Sequence, residues 1–190
     1  MRNAKTGLFS ALCFAIILVS HSAFAKGTQG NPKVLSHKEL KQIQLILKPD
    51  TRKLVIDAKH SYAISLQNDP KHTYFWINAV GGVDHGLITL LIKDGKVISE
   101  TKDVNEWEFR AVRSVKFVDL NHDGFNDVII LSDYHPEDVV SKNATFKYPL
   151  VLLNTGKPIA KFKAYPFIMP CKKPDTFSKV EACLKTAGIK

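Results

Sequence analysis

The chain has 190 residues, with 27 Lys and Arg against 18 Asp and Glu, for a formal net charge of +9. The basic residues are scattered, with no block of five or six and no basic stripe interleaved with aromatics, so nucleic acid is excluded from the expected partners. A solvated basic surface is the plain reading, and such attraction as it exerts favours acidic proteins or anionic envelope polymers.

Arg2 and Lys5, the apolar run from Leu8 to Val19, and Ala23-Phe24-Ala25 ahead of Lys26 form a secretory signal cleaved before Lys26. The run is roughly a dozen residues, whereas spanning a bilayer takes about 20, and no later segment is apolar enough to anchor the chain. Cys13 lies inside the run and not directly behind a cleavage site, which argues against a lipid anchor. A soluble, exported product, periplasmic or secreted, is therefore expected. Cleavage removes two basic residues and no acids, leaving 165 residues with a net charge of +7. That length suits one domain with a real core. The expected division is a signal peptide over 1–25, a flexible lead-in over 26–33 and a single β-rich domain over 34–190.

Ser36 with Glu39 fits a capping box ahead of Leu40, Ile43 and Leu47, yet Ile43, Leu45 and Leu47 also alternate as in a strand. Residues 36–48 are thus left open between helix and strand. Short β-prone runs follow at Lys53 to Asp57 and Tyr62 to Leu66. A turn at Asn68-Asp69-Pro70 leads to Thr73 to Val80, whose Tyr74 and Trp76 share one face and read as core. Gly81-Gly82 breaks that strand. Leu87 to Ile92, Asp94-Gly95 and Val97 to Ser99 make a tight hairpin. Phe109 to Val118, Val128 to Ser132, Phe146 to Asn154 and Ile159 to Tyr165 complete the series. Sequential hairpins without βαβ alternation predict an all-β antiparallel meander, built as a propeller-like blade or a sandwich, with one short C-terminal helix. That helix spans Asp175 to Ala187, capped by Asp175 or Thr176 and ended by Gly188. Cys171 and Cys183 are the even pair left after cleavage, and a disulfide between them would pin the helix to the preceding strand.

The string VKFVDLNHDGFNDVIIL, residues 115 to 131, carries the strongest chemistry. Counting Asp119 as position 1 puts Asn121 at 3, Asp123 at 5, Gly124 at 6, Phe125 at 7 and Asp127 at 9. Calcium takes six to eight oxygens at about 2.3 to 2.6 Å, and alternating Asp and Asn around a glycine supply them from one short loop, with Phe125 giving its carbonyl. Hard oxygen ligands disfavour zinc. Ile130 stands where an EF-hand needs a bidentate Glu, so the loop leads into a strand. In that setting it resembles the calcium hairpin of FG-GAP and VCBS-type repeats, which build integrin-like β-propeller blades. The resemblance covers about 20 residues and one copy of the loop, whereas propellers repeat their blades at least fourfold. The stretch Gly81 to Gly86 has Asp84 as its one carboxylate and reads as a glycine turn. In architecture the chain also resembles small exported bacterial lysozyme-inhibitor and immunity-like proteins.

Other candidates have plainer readings. Asp133, Tyr134, His135, Glu137 and Asp138, with Pro136 among them, read as a solvated acidic loop or as a second cation or partner site. Asp84-His85 lacks an accompanying nucleophile. Glu106 and Glu108 flank Trp107 as in a sugar cleft, but nothing fixes their separation. Asn143-Ala144-Thr145 is a glycosylation sequon and implies an exposed loop. The expected function is a calcium-binding, non-enzymatic module that binds another protein, with inhibition of a cell-wall-degrading enzyme as its specific form. The alternative is a carbohydrate-binding accessory or hydrolase using Glu106, Glu108 or the Asp133 to Asp138 acids.

Overall fold

A computed structural model describes residues 32–67, 69–81, 85–103, 107–136, 144–155, 161–165 and 174–189. The signal segment, the lead-in up to residue 31, and Asp84, Glu106, Glu137, Asp138, Asn143 and Cys171 lie outside those residues. Among the described residues no helix is long and apolar enough to cross a membrane.

The all-β antiparallel class holds, in sandwich form. Strands β1 (Lys33–Val34), β3 (Tyr62–Leu66), β4 (Asp69–Gly81), β5 (Gly86–Lys93) and β6 (Lys96–Lys102) pair in that order, and β2 (Val55–Ile56) adds to the far end of β4. The second sheet runs β10 (Phe162–Tyr165), β9 (Phe146–Asn154), β8 (Asp127–His135), β7 (Glu108–Val118). Each neighbour is antiparallel, and β3 to β6 and β7 to β10 run as meanders, while β1 pairs with β3 and β2 with β4. Lys33 sits in β1 opposite Ala63, so ordered structure begins inside the stretch expected to be a flexible lead-in. Strand β4 also runs on through Gly81, where the sequence suggests a break. A Cβ there would lie 2.7 Å from Leu54 Cδ2 and 3.1 Å from the Arg52 carbonyl, so the glycine lets β2's approach pack against the strand.

The two sheets face each other through Ile64, Tyr74, Trp76, Leu87 and Leu91 on one side and Val112, Val128, Ile130, Leu150 and Leu152 on the other. Trp76 meets Phe162 at 4.9 Å and Phe117 at 5.6 Å between ring centres, both edge to face, which joins the sheets at their centre. The outer faces are apolar too. Helix α1 (His37–Leu47) sets Ile43 over Ile77, Ala79, Ile88, Leu90 and Ile92, and helix α2 (Phe177–Thr186) sets Val180 and Leu184 over Ile129, Leu131 and Val151. The result is four layers, helix, sheet, sheet, helix.

Helix α1 settles the alternative left open for residues 36–48. Ser36 Oγ accepts from the Glu39 amide at 3.3 Å while Glu39 Oε2 accepts from the Ser36 amide at 2.7 Å, a complete capping box. Ile43 is fully buried, whereas Leu45 is 70% exposed, so a strand-like pairing of those two faces is ruled out. Helix α2 starts at the Thr176 cap and ends before Gly188, whose φ is +85°. Cys183 is buried on its inward side.

The segment joining α1 to β2 is clasped to β6. Arg52 donates from Nε and Nη2 to Asp50 at 2.9 and 2.6 Å, and from Nη1 and Nη2 to Glu100 at 2.5 and 2.9 Å. Arg52's hydrogen bonds bring the Asp50 carboxyl down to about 2. Since the folded value is depressed, the clasp stabilises the fold above the unfolded value of about 3.9 and loses that contribution as pH falls to about 2. Arg52→Gln is therefore expected to lower the melting temperature at pH 7 and to lower it much less at pH 2. An equal loss at both values would show that the charge on Asp50 contributes nothing.

Candidate functional site

The loop between β7 and β8 is made by local polar chemistry. The Asp123 amide donates to Asp119 Oδ1 and to Asn121 Oδ1, both at 3.2 Å, so two of the expected ligand oxygens converge on one N–H. Gly124 donates to Asp119 Oδ2 at 3.1 Å, and Phe125 to Asp123 Oδ1 at 2.9 Å. The bonds from the amides two residues on to Asn121 and Asp123 are Asx turns, and Asp119 reaches further, to the amides four and five residues on. His122 and Gly124 take left-handed φ values of +57° and +87°, reversing the chain at the expected point. His122 is exposed.

Asp127 behaves differently from its three companions. It opens β8 opposite Val118, is fully buried, and accepts from the Leu120 amide through Oδ2 at 2.9 Å and from the Asn154 amide through Oδ1 at 2.8 Å. One carboxylate thus ties the loop to the end of β9. Burial above all, with the charges of Asp123 and Asp119 adding to it, pushes its carboxyl up to about 6 against the pull of the two amides. The loop resembles a calcium hairpin in its residues, and the donor set of Asp119, Asn121, Asp123, the Phe125 carbonyl and Asp127 is the hard-oxygen kind that calcium prefers. Among the described residues no three His, Cys, Asp or Glu side chains gather round one point. The oxygens rest instead on backbone amides. Each carboxylate oxygen retains a second lone pair, so these bonds and a cation are chemically compatible.

Two features border the loop. Gln67, at the turn end of β3, reaches Asn126 Oδ1 at 3.4 Å, joining the first sheet to the loop. A cavity of about 490 Å³ opens between the loop and α2, with Val118, Leu120, Leu184 and Ile189 as apolar wall and His122 and Lys185 at its edge. Lys116 pairs with Glu181 beside it and holds α2 against β7.

The other acidic candidates are not brought together. Asp133, Tyr134 and His135 belong to β8 rather than to a loop, because pairing continues to Phe146 on β9 and Glu108 on β7. Asp133 is buried against Arg113 Nε at 2.6 Å, the fully buried Tyr134 donates to Asp103, and His135 Nδ1 lies 2.8 Å from the Ala144 carbonyl. Glu108 is exposed and pairs with Arg110 at 2.9 Å. Trp107 packs edge to face on Phe146 and Tyr148, each at 4.9 Å, as part of an aromatic cluster rather than a sugar platform. Tyr74 and Trp76 are core residues, as their alternation implies. His85 is exposed, with φ +47°.

The role of Asp127 as a clasp was not visible in the motif. The one available signal was its place at the head of the apolar run Val128 to Leu131, where a carboxylate must find buried donors. Compared with known proteins, the chain matches no family model, no curated protein and no solved structure.

Asp127→Asn replaces an acceptor oxygen by a donor facing an amide and leaves that amide unsatisfied. It is expected to destabilise the fold by about 1 to 3 kcal/mol, read as a lower urea midpoint at unchanged slope. A change below about 0.5 kcal/mol, within the range of neutral surface substitutions, would remove the clasp from the account.

Proposed function

We propose that this chain is an exported, calcium-stabilised β-sandwich that acts by binding another protein, with inhibition of a cell-wall-degrading enzyme as its specific form. The observation that carries the reading is the β7–β8 loop itself, where the buried Asp127 feels the charge of Asp119 and Asp123. A divalent cation would offset that repulsion and add bonds from Asp119, Asn121, Asp123, Asp127 and the Phe125 carbonyl. It serves here as a structural clamp and does no chemistry. Among the described residues, most acids away from the loop are engaged in structural contacts, such as Asp50 with Arg52, Asp69 with Lys93 and Asp133 with Arg113. That engagement favours a binding role over acid–base catalysis.

Extracellular calcium modules bind at roughly 0.1 to 1 mM. At a hundredfold excess over the dissociation constant, calcium should therefore stabilise the mature protein by about 2.7 kcal/mol, some 5 to 10 °C in melting temperature. Chelation or Asp123→Ala should remove that increment. Identical melting curves with calcium and with chelator would reduce the loop to a turn. For the binding role, the mature protein should slow turbidity clearing of cell-wall suspensions by a muramidase panel while hydrolysing nothing itself. Hydrolysis of peptidoglycan, other glycans or phosphoesters by the protein would sink the reading.

A Cys171–Cys183 disulfide completes the proposal. The buried, inward position of Cys183 on α2 supports it, and closing a loop of that size contributes about 3 kcal/mol. Thiol titration of the mature chain, unfolded without reductant, should find no free thiol, and two free thiols would refute the bond.

A further inference from the structure

A groove of about 470 Å³ lies between α1 and the segment that leads into β2. It lies far from the calcium loop. The loop meets the first sheet at Gln67, beside the Asp69 end of β4, whereas β2 pairs with Ala79 and Val80 at the other end, roughly 35 Å along the strand. The groove also lies on the α1 layer, with both sheets between it and α2.

Its floor is apolar, made by Leu40, Leu47, Leu54 and Ile56, and Val55 is 69% exposed at its side. Its rim is basic. Lys48 and Lys53 line it, both exposed and without an ion-pair partner among the described residues. The one carboxylate lining the groove, Asp50, is already held by Arg52. The charge left over is therefore positive.

The rim is also held in place at a cost. Lys53 has φ +52°, a left-handed conformation uncommon for a residue with a side chain, and such outliers persist where the surroundings impose them. Here the surroundings are the Arg52 clasp to Asp50 and Glu100 on one side and the close approach of Leu54 to Gly81 on the other. A cationic rim on a fixed backbone, over a half-buried apolar floor, is preorganised for one kind of guest.

We infer that this groove is the docking surface for an acidic polypeptide segment carrying an apolar anchor, which seats on Leu47, Leu54 and Val55 while its carboxylates meet Lys48 and Lys53. A bare polyanion would satisfy the lysines and leave the apolar floor unused. β2 is a sheet edge with no strand on its outer side among the described residues, so an extended guest can also pair with it. The inference rests on the reading of the chain as a protein-binding module and adds the partner's chemistry.

The test is titration of the isotopically labelled mature chain with a short synthetic peptide in which Leu and Glu alternate, followed by amide chemical shifts. Perturbation confined to residues 40–58, insensitive to chelator, is expected. The double variant Lys48→Glu, Lys53→Glu should weaken binding by at least about tenfold. Lys53→Gly, which relieves the backbone, should raise the melting temperature and still weaken binding, a combination that a purely structural lysine would not give. Equal binding of a Leu/Lys peptide, equal binding of a Glu/Ser peptide or of heparin, or shifts centred elsewhere would each overturn the assignment. If the double variant instead inhibits a wall hydrolase as well as the parent does, the groove is wrong while the binding-module reading stands.

Discussion

Both sheets of this protein are apolar on both faces, and most of the architecture follows from that constraint. β5 is buried at every position from Leu87 to Ile92, and β8 at every position from Asp127 to Tyr134. A sandwich of two sheets hides only the inner half of such strands. At about 25 cal/mol per Å² of apolar surface, leaving Ile77, Ile88 and Leu90 on one outer face and Ile129, Leu131 and Val151 on the other in water would cost several kcal/mol on each side. The helices therefore cover the outer faces. Ile43 and Val180, both fully buried, are the side chains through which they do so. The capping box of α1 and the Thr176 cap of α2 serve the same end, since short helices in water need both packing and satisfied ends to persist.

This constraint also explains why Asp127 matters more than the three less buried members of its loop, Asp119, Asn121 and Asp123. A strand buried on both faces has no solvated position for a carboxylate at its first residue. Burying that charge alone costs several kcal/mol, so it must gather donors. It finds them in Leu120, within its own hairpin, and in Asn154, on the neighbouring strand. The loop is thereby tied to the end of β9 by a side chain, in addition to the pairing of β8 with β9. The same desolvation that makes the clasp strong also raises the carboxyl to about 6, so the corner is under electrostatic tension that a cation is suited to release.

Much of this was legible in the sequence, and what was not has physical reasons. β3 and β9 fall on the residues that alternation and turn chemistry indicate, and the Asp94-Gly95 hairpin and both helix caps follow from local rules. The covering of the outer faces was less visible. Continuous apolar runs such as Leu87 to Ile92 signal burial on both sides, but they do not say what buries them. Residues 36–48 carry both helical and strand spacing, and only the tertiary contact of Ile43 decides between them. Asp133 to His135 read as loop because acids and the following proline mark turns, yet Arg113 and Asp103 neutralise the cost of continuing the strand. In the loop, the order of oxygen-bearing side chains was readable, whereas the engagement of their oxygens by backbone amides depends on the folded geometry.

A protein that acts by binding gains most from surfaces that lose little freedom on contact. Immobilising side chains and loops at an interface costs roughly 0.5 to 1.5 kcal/mol for each rotamer-rich group, and that cost is met in advance when the fold already fixes them. The two ends of this sandwich meet it in different ways. At the β7–β8 corner, Asx turns and the Asp127 clasp hold a loop whose carboxylates would otherwise spread apart. At the β2 end, Arg52 bridges Asp50 and Glu100, and Gly81 admits Leu54 so closely that no side chain could replace it without displacement. One end gathers negative charge and the other presents positive charge, with buried sheet between them. Screening over that distance, several Debye lengths at physiological salt, makes the two ends electrostatically independent. A partner engaging one end would therefore be neither repelled nor recruited by the other, and a cation bound at the acidic corner would act on the fold without tuning the basic groove.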